Sequence, residues 1–110
     1  MNSDIFTSLF EVIEERKKSS PETSYVAKLM HKGTEKINSK IIEEADEVCE
    51  AALEKDKGHF VYEICDILFH TLVLASYKDI QLDDIRTELE RRFGTSGLVE
   101  KAGRTDNESK

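Results

Sequence analysis

The chain has little with which to build strands, cross a bilayer or hold a polyanion. No segment shows the period-two alternation of a half-buried strand, and no segment repeats another. No uninterrupted apolar run reaches the roughly 18 residues of a membrane span, and the opening Met-Asn-Ser-Asp does not begin a secretory leader. A membrane is therefore not an expected partner, and a cytoplasmic location is expected. Positive charge is scarce: 16 Lys and Arg stand against 23 Asp and Glu, a net charge of −7. Broad binding of nucleic acid needs clustered cations, so that class is excluded, whereas recruitment of a cation is favoured. The two cysteines, Cys49 and Cys65, form no C-x-x-C pair and fall inside helical patterns. They read as reduced thiols packed as small hydrophobes. Proline occurs once, at Pro21, inside the loop SSPETS.

What is present is helical periodicity. In 110 residues, 38% apolar and 35% charged, one small domain with a thin core is expected, and oligomerisation would complete it. A first helix over residues 4–18 is predicted from Ile5, Phe6, Leu9, Phe10 and Ile13, with Ser3 as its cap. A short helix in SYVAKLMHKG breaks at Gly33. A longer one follows over residues 34–55, with Ile37, Ile41, Ala45, Val48 and Ala52 as its stripe. DKGH, residues 56–59, reads as a turn with Gly58 as breaker. Helices over residues 59–78 and 82–93 complete an all-α bundle around a central antiparallel hairpin. The domain is expected to span residues 1–104, with residues 105–110 a disordered tail.

The chemistry concentrates in that hairpin. FVYEICDILFH, residues 60–70, is apolar in nearly every direction, as a helix buried on all sides would be. Glu63, Asp66 and His70 alone interrupt it, along one ribbon. In the preceding helix, EEADE is not uniform: Glu44 sits against the apolar stripe and Glu47 on its shoulder, while Glu43 and Asp46 lie outside. Folding the hairpin about positions 56–57 brings Glu47 level with Asp66 and Glu44 near His70. Two carboxylate pairs, each spaced i, i+3, then converge from facing helices. Buried together they repel, and a hard divalent cation with oxygen ligands, Mg²⁺ or Mn²⁺, would relieve that. The competing reading of EEADE is a solvated face. His70 is either a ligand or a histidine hydrogen-bonded to a ligand carboxylate. The Glu-x-x-His pair of a di-iron bundle is missing, because Ile67 stands three residues before His70. Lys28, Lys32, Lys36 and Lys40 recur every four residues. Arg91, Arg92, Lys101 and Arg104 form a second basic group beside a TSG stretch. Each group suits either phosphate binding or a solvated face.

SYVAKLMHKGTEKINSKIIEEADEV, YEICDILFHTLVLA and LERRFGTSGLVEKAGR together resemble the phosphoribosyl-ATP pyrophosphohydrolase family of histidine biosynthesis. That family is part of the MazG-like all-α nucleotide pyrophosphatases, whose signature EExxE followed by ExxD reads here as Glu43, Glu44 and Glu47, then Glu63 and Asp66. Ile42 stands where the family often has glycine. The resemblance implies a homodimer that uses Mg²⁺ to cleave phosphoribosyl-ATP into phosphoribosyl-AMP and pyrophosphate. Glu44, Glu47, Glu63 and Asp66 would hold the metal. Glu43 or Glu47 would orient or deprotonate water. Lys28, Lys32, Lys40, Arg91, Lys101 and Arg104 would contact substrate, with His70 behind the ligands. A house-cleaning nucleotide pyrophosphatase would carry the same acids. A non-enzymatic helical dimerisation module is the remaining alternative.

Overall fold

The computed structural model describes residues 4–93. They form five helices and, among the described residues, no strand: α1 Ile5–Arg16, α2 Tyr25–Lys32, α3 Thr34–Ala51, α4 Lys57–Tyr77 and α5 Leu82–Phe93. The fold is all-α. Helices α1–α4 belong to one compact unit, Met1–Ile80, and α5 to a second, Gln81–Lys110. The expected tail at 105–110 lies outside the described residues.

Local chemistry sets the helix ends. Asp4, rather than Ser3, caps α1, its Oδ1 accepting from the Thr7 N–H at 2.7 Å. Ser24 caps α2 by accepting from the Ala27 N–H, and its hydroxyl donates to the Arg16 carbonyl at 3.2 Å, joining the end of α1 to the start of α2. Gly33 separates α2 from α3 at φ 96°, a backbone state that strains any side chain. The hairpin turn lies earlier than its sequence suggests. α3 stops at Ala51, and Asp56 caps α4 by accepting from the His59 N–H at 3.1 Å. Gly58 therefore falls in the first turn of α4 instead of breaking the chain; the Asp56 cap fixes where the helix begins. At the other end of α4, Asp79 takes a left-handed conformation, φ 63°. The N–H groups of Asp79 and Ile80 donate to the carbonyls of Ser76 and Ala75, the pattern of a Schellman cap.

α3 and α4 make the dominant packing contact as an antiparallel hairpin; α1 lies against α4, and α2 against α3. The buried apolar side chains are Phe10 and Ile13 from α1, Val26, Ala27 and Leu29 from α2, Ile37 and Ala51 from α3, and Leu72 and Val73 from α4. A polar tie fastens α1 to α4. The fully buried Ser76 donates its hydroxyl to Glu14 Oε2 at 2.6 Å, and Lys17 Nζ donates to the Ser76 carbonyl at 3.1 Å. The Ser76 hydroxyl holds the Glu14 carboxyl below its ordinary range. A lowered carboxyl contributes stability above its ordinary value and loses it as pH falls through the folded value. Ser76→Ala should therefore cost about 1 kcal/mol near neutrality, modest because Glu14 is partly solvated. In urea titrations the difference from wild type should shrink in acid.

α4 is exposed on its outer side in the single chain, the side that the expected second subunit would have to cover. Val61 is 56% exposed, Tyr62 63% and Leu68 41%, so within the α1–α4 unit the helix is covered on one side only. Cys49 and Cys65 are free thiols, as expected, but exposed rather than buried. By length and composition alone α4 could cross a membrane; here it carries the buried Glu63 and His70 toward its partner helix. In α5, Glu88 accepts from both Arg91 and Arg92, which hold its carboxyl down at about 2.

Candidate active site

The site is the polar seam of the hairpin. α3 contributes Glu44 and Glu47, one turn apart, and α4 contributes Glu63, Asp66 and His70. Glu44, Glu63 and His70 are buried, at 5%, 7% and 5% exposure. Glu44 Oε1 stands 2.7 Å from His70 Nδ1. That nitrogen is also 3.0 Å from the Asp66 carbonyl. A carbonyl only accepts, so Nδ1 carries a proton and donates it there. The charge of Glu44 thus has a close neighbour, but Oε1 has no hydrogen bond. Nε2 is hydrogen-bonded with the Tyr25 hydroxyl at 2.7 Å. Tyr25 also stacks on Phe69, with ring centroids 6.3 Å apart, and so packs α2 onto the seam. Burial pushes the Glu44 carboxyl up and Asp66 adds to the effect, while His70 opposes it.

The other end of the seam has a different partner from the one expected. Glu47 meets Glu63, not Asp66, and Asp66 instead acts on Glu44. The shifted turn accounts for this, since the hairpin axis follows the observed helix ends rather than Gly58. Desolvation raises the Glu47 carboxyl, and the nearby charge of Glu63 raises it further. Glu63 Oε2 also accepts from His59 Nε2 at 3.0 Å, and His59 Nδ1 is 2.9 Å from Glu54 Oε1. Glu54 first, and Glu63 with it, raise the His59 imidazole above its ordinary value. Glu63 Oε1 remains buried without a hydrogen bond.

Among the described residues no group of three or more His, Cys, Asp or Glu side chains is drawn together as a preformed metal cage. The donor set nonetheless fits a hard divalent cation. Carboxyls of α3 and α4 lie near enough to act on one another, Asp66 on Glu44 and Glu63 on Glu47, and two buried oxygens, Glu44 Oε1 and Glu63 Oε1, have no hydrogen bond.

The remaining sequence-predicted residues are dispersed around this seam. Glu43 is exposed and accepts from Lys40 Nζ at 3.0 Å, which keeps its carboxyl below the ordinary range. Lys28 and Lys32 are exposed on α2, three and seven residues after Tyr25, and so share its helical face. Arg91 lies in the second unit, bonded to Glu88. Lys101 and Arg104 lie outside the described residues. Sequence reasoning missed Tyr25 and His59. Tyr25 sits in the quoted SYVAKL segment, where its reach to His70 has no periodic signal. His59 stands four residues before Glu63 at the start of the expected helix, a helical spacing that was available and not used.

Residues 6–93 match the family described as phosphoribosyl-ATP pyrophosphohydrolase. The chain belongs to that family. A phosphoribosyl-ATP pyrophosphatase of Neisseria meningitidis serogroup B is 46% identical over 107 residues, covering 97% of this chain and all of the relative. The enzyme of that name from Geobacter sulfurreducens is 50% identical over 103 residues, 94% of this chain and 95% of its own. That from Trichlorobacter lovleyi is 48% identical over 105 residues, 96% and 97% respectively. Family membership makes this chain a pyrophosphate-releasing hydrolase.

Proposed function

We propose that this chain hydrolyses phosphoribosyl-ATP to phosphoribosyl-AMP and pyrophosphate, the second step of histidine biosynthesis, as a cytoplasmic Mg²⁺-dependent homodimer. The observation that carries the metal is the seam itself: two buried carboxyls, Glu44 and Glu63, each with an oxygen that has no hydrogen bond. Glu44, Glu47, Glu63 and Asp66 would hold Mg²⁺, with Mn²⁺ as a substitute. The cation, when bound, would supply neutralising charge for the triphosphate and the departing pyrophosphate.

The chain's own residues do the rest. His70, fixed by Tyr25 and the Asp66 carbonyl, holds a positive edge against Glu44 and sets that carboxylate's place. Glu43 is kept ionised at the rim by Lys40 and accepts a hydrogen bond from the attacking water. Glu47 is the better proton acceptor of the two, because its raised carboxyl lies nearer the working pH. Lys28 and Lys32, on the face that Tyr25 presents to the seam, meet substrate phosphates, with Arg91, Lys101 and Arg104 as further contacts. The substrate follows from the high identity over full length to relatives bearing that enzyme's name. A pyrophosphate-release assay tests it, with phosphoribosyl-ATP compared against deoxynucleoside triphosphates, each with and without Mg²⁺. Phosphoribosyl-ATP should be preferred by orders of magnitude and only with the metal. Equal turnover of deoxynucleotides would leave a house-cleaning pyrophosphatase, and no metal-dependent turnover at all a dimerisation module.

A further inference from the structure

Among the described residues, His59 is the one imidazole with a carboxylate on each ring nitrogen. Nδ1 meets Glu54 Oε1 at 2.9 Å and Nε2 meets Glu63 Oε2 at 3.0 Å. The three residues come from different parts of the hairpin: Glu54 from the turn after α3, His59 from the first turn of α4, and Glu63 one turn further. Glu63 is the buried member, its side chain 10% exposed against 41% for His59. The bond from His59 occupies one Glu63 oxygen, while the other, Oε1, stays buried without a partner. A carboxylate held by one oxygen has its rotation about the terminal bond removed, and the free oxygen is presented in one direction. Glu54 does the same for the ring, since His59 held at both nitrogens cannot flip.

We propose that His59, backed by Glu54, is a positioning residue that locks the Glu63 carboxylate and presents Oε1 to the divalent cation. The inference rests on the reading that these carboxylates hold a cation, and it adds a residue outside the EExxE and ExxD pattern. Hydrogen bonds behind ligating groups commonly govern metal affinity about 10- to 100-fold. A merely structural tie between the turn and α4 would change melting temperature and leave metal affinity alone.

Mn²⁺ titration by isothermal calorimetry separates the two, using the full chain without nucleotide. His59→Phe should weaken Mn²⁺ binding about tenfold or more. His59→Gln, whose amide reproduces a donor at the position of Nε2, should recover most of that loss. Glu54→Gln should fall between wild type and His59→Phe, because it loosens the ring without removing it. Wild-type affinity in His59→Phe overturns the inference and leaves the metal reading intact, as does a loss in His59→Gln as large as in His59→Phe. Absence of Mn²⁺ binding by the wild type overturns the metal reading and this inference with it. Should His59→Phe fail to fold, the comparison of Glu54→Gln and His59→Gln with wild type still decides, since unchanged affinity in Glu54→Gln overturns the backing role.

Discussion

Glu44→Gln should reduce turnover by a factor of about 10³ or more and, in the same protein, raise the stability of the metal-free chain. The loss follows from the position of Glu44, the most deeply buried of the four acids, with one oxygen unbonded. Removing a preorganised charge of that kind from a phosphoryl-transfer site costs roughly 3–4 kcal/mol of transition-state stabilisation. The gain in stability follows from the same burial. An ionised oxygen without a donor in the interior costs about 1–3 kcal/mol, and an amide carries no charge to desolvate or to repel Asp66. The pH dependence fixes the sign. Burial raises the Glu44 carboxyl. A raised carboxyl favours the fold while protonated, and that favour is lost as pH rises through the folded value. The variant should therefore match wild type in acid and exceed it above the raised Glu44 value. Thermal denaturation in EDTA across pH measures this, and a variant less stable than wild type at neutral pH would count against an uncompensated charge. Added Mg²⁺ should reverse the order, since only the wild type keeps its full set of ligands.

The same residues show how far the sequence could be read. α5 was predicted with its observed bounds, because Asp83 and Asp84 at one end and Arg91 and Arg92 at the other mark a helix locally. Glu44 and His70 were placed together correctly, since inward-facing residues follow the 3.6-residue period whatever the turn does. The partner of Glu47 was not. It depends on where α3 stops and α4 starts, and a glycine in the first turn of a capped helix looks like a breaker when the Asp56 cap goes unweighed. The exposed thiols were misplaced, and the bare side of α4 was left for a second subunit without being located, for one shared reason. Periodicity tells which residues are apolar, but a chain this short cannot cover them all, and the pattern is silent on which side goes without.

That bare side carries the second large effect. Val61, Cys65 and Leu68 recur at four and three residues along α4, with Tyr62 beside them, and all four are exposed. The buried core of the α1–α4 unit is small, so covering this stripe with a second copy is the natural source of further stability. α1 offers a rival surface through Ile5 and Val12, 72% and 44% exposed and seven residues apart. A charge at the centre of an interface commonly costs about 2–4 kcal/mol per copy, and a twofold interface would meet it twice. Leu68→Asp should therefore shift the protein to half the wild-type mass in light scattering at micromolar concentration. It should also lower the denaturation midpoint and make that midpoint independent of protein concentration. Val12→Asp should leave the mass unchanged. The opposite result would move the interface to α1, and a wild type already at monomer mass would remove it. Leu68 lies two residues from Asp66 and so on the opposite face of α4 from the acidic seam. The dissociated Leu68→Asp chain should therefore bind Mn²⁺ as tightly as wild type, and a weaker affinity would show that pairing reaches the seam.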